Sequence, residues 1–208
     1  MLVDSHCHID FPDLAANLPQ VLGLMHDNEV GCAVCIGVTL EDFPRILALA
    51  ESDRRIFASV GVHPETTDVR EPSIADLVAL AQHPKVIAIG ETGLDYYWHK
   101  DAPEWQRERF RVHIRAAIEA GKPLVVHNRD ATADTLRVMA EERAGQVGGA
   151  GIDQHVQGAW CRYRSEDPPH LESAHRFRHR RDGSGRECGH PIPASPAWRT
   201  APYGSSCG

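Results

Sequence analysis

Five short apolar runs, each followed by an amphipathic stretch, constrain this chain more than any other feature. The runs are "LVDSHCHI", "GCAVCIGV", "IFASVGVHP", "VIAIGETGL" and "PLVVHNRD". Between them lie segments with helical spacing: "NLPQVLGLMHDN", "LEDFPRILALAES", "SIADLVALAQHP", "EWQRERFRVHIRAAIEAGK" and "ATADTLRVMAEERA". Strands that are apolar on both faces and alternate with helices belong to a parallel sheet covered by helices. Five such βα units fit a doubly wound sheet or most of a (β/α)8 barrel. No Gly-rich phosphate loop follows the first strand, which weakens the nucleotide-binding form of the first option.

The pattern stops near Gly149. Residues 150–208 show no sustained period, contain no Lys, and are dense in Pro, Gly, Ser, Arg and His. Such a composition buries too little apolar area to offset about 1–2 kcal/mol of backbone ordering entropy per residue. Residues 1–149 are therefore expected to form a partial barrel, and residues 150–208 an irregular, disordered tail. "HRFRHRRDGSGR" has the charge of an RNA-binding arm, but a solvated basic tail is the simpler reading.

Charge narrows the partners. At 208 residues, with 42% hydrophobic and 25% charged residues, the chain has the balance of one globular domain. Its formal net charge of -7 argues against a broad electrostatic grip on nucleic acid or an anionic membrane. A bound divalent metal can still reverse the sign inside one pocket. There is no charged leader and no apolar stretch long enough to span a bilayer, so a cytoplasmic location without membrane partner is expected. No obligate protein partner is evident. Cys32 and Cys35 in "GCAVCIGV" have CxxC spacing, but residues three apart on a strand face opposite ways and cannot share a ligand. Buried thiols are the expectation.

The chemistry gathers where the apolar runs end. In "LVDSHCHI", Asp4, His6 and His8 share one strand face. Alternate strand residues lie about 6.6 Å apart along the chain, from which two imidazoles can lean onto one metal ion. An HxH pair alone leaves the metal reading level with that of satisfied surface histidines. Glu91 then ends an apolar strand in "VIAIGETGL", and His127 ends the next in "PLVVHNRD". The C-terminal strand ends of a (β/α)8 barrel form one rim, where active sites of that architecture lie. His6, His8, Glu91 and His127 on that rim favour a metal centre.

"LVDSHCHID", "SVGVHPE", "IGETGLDYY" and "PLVVHNRDATADTL" resemble, in order and spacing, the TatD family of metal-dependent deoxyribonucleases. The resemblance covers about residues 1 to 149 and implies a (β/α)8 TIM-barrel type hydrolase fold. It implies two divalent metal ions (Mg, Mn or Zn), with His6 and His8 on one, His127 on the other, and Glu91 bridging them. His63 in "GVHPE" is similar to a pocket histidine of the family, and Arg129 is placed to meet a substrate phosphate. Asp4 would orient the ligands; Asp95 and Tyr96 would shape the loop or touch substrate. The implied reaction is metal-assisted hydrolysis of phosphodiester bonds at single-stranded DNA ends. Aminoacyl-ester or amide hydrolysis on the same centre is the alternative.

The departures are equally specific. The sixth-strand "HCF"-type histidine and the later "ETDxP"-type aspartate of the family do not follow, and neither His155 nor Asp167 has the flanking residues to take their roles. A change of reading frame near Gly149 would produce such a switch. A catalytically inactive, truncated family member is thus the third reading, and low or absent turnover is expected of this polypeptide.

Overall fold

The computed structural model describes residues 2–151 and the two short strands Arg180–Arg181 and Glu187–Cys188. The expected disordered tail, the basic "HRFRHRRDGSGR" segment, His155 and Asp167 otherwise lie outside the described residues.

Six parallel strands are joined in strict sequence order: β1 (Leu2–Cys7), β2 (Val30–Cys35), β3 (Ile56–Val60), β4 (Val86–Asp95), β5 (Leu124–Arg129) and β6 (Gly149–Gly151). A doubly wound sheet reverses its strand order at a switch point. Here the order never reverses, so the sequence's two options resolve to the barrel type, as an open curled sheet. Helices α1 (Pro12–Ala15) and α2 (Leu18–Asp27) follow β1, and α3 (Phe43–Ser52) follows β2. Then α4 (Ile74–Ala81) follows β3, α5 (Glu104–Ala120) follows β4, and α6 (Thr132–Glu141) follows β5. Neighbouring helices α4, α5 and α6 pack side by side, as right-handed crossovers on one side of the sheet require.

The main core lies between sheet and helices. Ile56, Ala58 and Val60 of β3, Val86 and Ile89 of β4, and Leu124 and Val126 of β5 pack with Phe43, Ile46, Leu77, Phe110 and Ile114 of the helices. A second, smaller cluster joins Val34, Ile36, Ala88 and Val125. Cys35 is wholly buried and Cys32 half-buried, both as free thiols. Burial pushes both thiols up, and Cys35 also donates to Asp10 Oδ1 at 3.2 Å.

Helix boundaries follow local chemistry. Ser73 caps α4 by accepting from the backbone N–H of Asp76, whose carboxylate accepts from the N–H of Ser73 in return. Gly121, at φ 63°, ends α5 in the left-handed conformation that glycine adopts freely. No described helix is long and apolar enough to cross a membrane.

Two details differ from expectation. Glu91 lies within β4, which runs on to Asp95, rather than at the strand's end. The regular pattern also continues into β6, whose Gly149 and Ala150 pair with Leu124 and Val125 across the boundary expected after residue 149. Gly-Ala-Gly has no side-chain alternation from which a strand could be read.

Candidate metal centre

Residues within or just beyond the C-terminal halves of β1, β3, β4 and β5 bring five groups together. Glu91, 2% exposed, points its two oxygens at different imidazoles. Oε2 lies 3.3 Å from His6 Nε2, while Oε1 lies 3.1 Å from His127 Nδ1 and 3.8 Å from His63 Nε2. His8 stands beside His6 with ring centroids 5.2 Å apart and stacks on Phe11 at 4.8 Å. Two sets of candidate donor atoms result, His6–His8–Glu91 and His63–Glu91–His127, each with its atoms within 4.8 Å of one another. Glu91 is common to both.

Close approach of the backbones makes this possible. Gly90 and Gly93 flank Glu91 at φ 131° and 138°, a region that side-chain-bearing residues rarely enter. A Cβ on Gly93 would run into the backbone carbonyl of His127, and one on Gly90 into that of Val125. Glycine at both positions lets β4 press against β5 where their functional side chains meet.

The proton positions suit a cation. Asp95 is fully buried, and its Oδ2 lies 3.0 Å from His127 Nε2. That contact occupies Nε2 and leaves Nδ1, 3.1 Å from Glu91 Oε1, as the nitrogen that can turn to a cation, the usual device by which a carboxylate orients a metal-binding histidine. His8 Nδ1 is a buried nitrogen with no hydrogen-bond partner among the described residues, an arrangement that costs free energy unless something accepts its lone pair. Imidazole nitrogens and one shared carboxylate form a donor set that fits a divalent cation of borderline softness. His63 is different. Its Nδ1 accepts from the Glu65 N–H at 3.2 Å, so the neutral ring carries its proton on Nε2, facing His127 and Glu91. It is arranged to donate a hydrogen bond into the site.

Ionisation follows from these contacts. Burial alone would raise the Glu91 carboxyl, but bonds from His127 and His6 outweigh it and hold the group far below the carboxylate range. Burial, with His127 close by, pushes His63 down to about 4. Burial and the neighbouring His6 also lower His8. For His127 burial acts downward too, but Glu91 and Asp95 outweigh it and the net shift is upward.

Helix α5 fixes the geometry from behind. Gln106, fully buried, accepts from the Asp95 N–H at 3.1 Å and donates to the carbonyls of Pro64 at 2.9 Å and Asp95 at 3.3 Å. Arg109 donates to the carbonyls of His63 and Thr66, both at 2.8 Å, and pairs with Glu71. His113 accepts from the Val62 N–H at 2.9 Å. One helix face therefore holds the loop after β3 and the end of β4. Sequence reasoning missed this support, although polar residues at 106, 109 and 113 interrupt a face that otherwise buries Phe110, Ile114 and Ala117. Such an interruption is a signal of buried hydrogen bonding.

Of the residues expected from sequence, His6, His8, Glu91 and His127 converge, with His63 among them. Arg129 is exposed at the end of β5, with its guanidinium 3.9 Å from the centre of the Tyr97 ring. Asp134 bonds Tyr96, Arg107 and Arg137. Asp4 Oδ1 accepts from the His6 backbone N–H at 3.1 Å, an exposed contact with the main chain rather than with a ring. Asp95, whose role the sequence left open, orients His127. A cleft lined by His8, Phe11, Val38, His63, Glu65, Thr66 and Glu91 opens above the group.

Known proteins of the same construction are similar to this chain. A hydrolase described as metal-dependent and uncharacterized, YabD of Bacillus subtilis strain 168, is 37% identical over 150 residues, covering 72% of this chain and 59% of that protein. Another so described, YcfH of Escherichia coli K12, is 37% identical over 152 residues, 71% of this chain and 57% of its own length. The crystal structure of YjjV, a TatD homolog from E. coli K12, superposes with a TM-score of 0.65 at 24% identity, over 78% of this chain and 65% of that one. The chain thus spans less than two thirds of the length of these proteins. The family model for TatD related DNase matches residues 3–160, a stretch that takes in the six parallel strands apart from Leu2 and every side chain of the centre. By its sequence, the chain belongs to the TatD related DNase family.

Proposed function

We propose that this centre holds two divalent cations and hydrolyses phosphodiester bonds at the ends of single-stranded DNA. The observation that carries the reading is Glu91, whose two oxygens face separate imidazole sets at 3.3 and 3.1 Å. His6 and His8 would hold one ion, His127 the other, with Glu91 between them. Divalent cations supply Lewis-acid stabilisation of the charge that develops on an attacked phosphate. The chain's own residues supply the rest. Asp95 occupies His127 Nε2. His63 offers an Nε2 proton to a substrate oxygen, Phe11 walls one side of the cleft, and Arg129 stands further out as a phosphate contact. A concentrated positive centre also reconciles a chain of net charge -7 with a polyanionic substrate, which is gripped at its end rather than along a groove.

Among the described residues the cleft carries only two carboxylates, Glu91 and the exposed Glu65. Glu91 is engaged by the imidazoles, so among the described residues of the cleft no buried acid is free to act as general base, and slow turnover is the expectation for this chain. The test is metal content per chain after dialysis, measured beside cleavage of single-stranded DNA and of an aminoacyl ester. Two ions per native chain, fewer in His6→Ala, and slow metal-dependent DNA cleavage are expected. Equal metal content in native and His6→Ala protein would refute the centre, and ester cleavage without DNA cleavage would refute the substrate.

A further inference from the structure

We propose that Tyr97, Trp98 and Arg129 form a nucleotide subsite beside the centre, in which an unpaired base stacks on the aromatic rings and its phosphate meets the guanidinium. The inference rests on the phosphodiester reading above and specifies how the strand is held. Tyr97 and Trp98 leave 43% and 59% of their surface in water, and their rings meet edge to face, 4.8 Å apart at 90°. The Arg129 guanidinium lies 3.9 Å from the Tyr97 ring centre and 5.8 Å from that of Trp98. The guanidinium covers one face of Tyr97, which leaves the more exposed Trp98 ring as the stacking face beside the cation.

The platform is tied to the centre. Asp95 Oδ1 accepts from the backbone N–H groups of Tyr97 at 3.0 Å and Trp98 at 3.4 Å, while Oδ2 of the same buried carboxylate holds His127 Nε2 at 3.0 Å. The aromatic loop and the histidine are therefore positioned by one side chain. Arg129 follows His127 by two residues on β5, on the same strand face and about 6.6 Å further out.

Chemistry selects the occupant. Stacking on aromatic rings accepts any base, because every base has a π face, and a neighbouring cation attracts the backbone. A purely apolar partner would bury the guanidinium without a counter-charge, which is costly. A nucleotide satisfies both halves. The rest of a chain carrying -7 repels a polyanion, so the strand is held locally, at this cation and at the centre.

The experiment measures binding of a fluorescein-labelled oligothymidylate octamer, and of an abasic octamer with the same phosphates, to the full chain in EDTA. Native protein is expected to prefer the thymidylate strand by about tenfold, within the range for one or two stacked bases. Trp98→Ala should abolish most of that preference and Trp98→Phe should restore part of it. Arg129→Ala should weaken both strands alike. Equal affinity of the native chain for the two strands would overturn the subsite. So would an undiminished preference in Trp98→Ala, or a Trp98→Ala chain that loses stability like a core variant while binding as before, which would assign the rings to packing within the chain. Because EDTA withholds cations, base preference without any metal-dependent cleavage would overturn the hydrolytic reading and leave the subsite standing.

Discussion

His113 ties the stability of the β3 end to pH, and the magnitude follows from its surroundings. The ring is fully buried on α5. Its Nε2 accepts from the Val62 N–H at 2.9 Å, so that nitrogen must be unprotonated, and Nδ1 then donates to the Arg109 carbonyl at 2.8 Å. Burial pushes the imidazole down to about 4, although its backbone bond to Arg109 acts upward. A histidine depressed in the folded state stays neutral while the unfolded chain, with its ordinary value near 6.5, takes up a proton. The contribution is therefore fully present above about pH 6.5 and is lost as pH falls toward 4. Integrating the linkage gives about 2 kcal/mol lost between pH 7 and pH 5. The perturbation is His113→Gln, which can still accept from Val62 but does not titrate. Urea unfolding of both proteins at the two pH values is the assay. Native midpoints should fall further than those of the variant, by about 1 M if the slope is about 2 kcal/mol per M. Val62 adjoins His63, so acid should also loosen that wall of the cleft. Equal pH shifts in the two proteins would show that His113 is not the neutral acceptor described, and the argument would fail.

Three further outcomes test the rest of the site. Glu91→Gln removes the charge that both imidazole sets share, and metal affinity measured by calorimetry should fall at least tenfold; unchanged affinity would exclude a bridging role. Gln106→Leu leaves the buried Asp95 N–H and Pro64 carbonyl without their side-chain partner. At about 1–3 kcal/mol per unsatisfied group, a loss of about 3 kcal/mol and a fall in Tm of about 10 °C are expected by calorimetry. Gly93→Ala forces a side chain at φ 138° against the His127 backbone. It should cost about 2 kcal/mol or more in urea unfolding and weaken metal binding as well, whereas a neutral result would mean that β4 and β5 have room to part.

The sequence carried the fold where burial leaves a period. Val86 to Ile89 and Leu124 to Val126 read as strands because parallel strands covered on both sides are continuously apolar. Residues 43–52 and 104–120 read as helices because only one face of each is buried. β6 escaped because glycine and alanine have no face to alternate. The histidines and Glu91 were legible for a different reason: polar groups placed where an apolar run stops demand partners, although β4 itself runs on past Glu91 to Asp95. What the residues alone could not show was which polar groups support others. Asp4, close to His6 in sequence, serves only the exposed backbone, while Asp95, more than thirty residues before His127, orients its ring. That distinction depends on register. Pairing Gly93 with His127 and Asp95 with Arg129 brings the Asp95 carboxylate within reach of the imidazole, and no local pattern encodes the pairing.

The same register explains how an open sheet can hold a defined site. Among the described residues β1 pairs only with β2, and much of its surface is exposed, so β1 by itself is a weak platform for His6. Two long-range contacts compensate. The Cys7 thiol donates to the Val34 carbonyl at 3.2 Å, and Cys7 pairs with Cys35 in the β1–β2 ladder, which fixes the backbone between the two histidines. Beyond that, His6 meets the Oε2 oxygen of Glu91, a residue locked by two glycines and by β5. Burying a carboxylate is unfavourable, and repeated contact with imidazoles makes its ionised form the stable one. The charge thereby becomes a fixed point to which the edge strand attaches through His6 and the inner strand through His127. A cation on either side would strengthen the attachment that each imidazole already makes. On this reasoning metal binding should protect β1 more than β3 against hydrogen exchange, because the segment just after β3 is already held by α5 through His113, while among the described residues β1 has no comparable helix support. Equal protection of the two strands on adding Zn or Mn would mean that Glu91 does not anchor the edge.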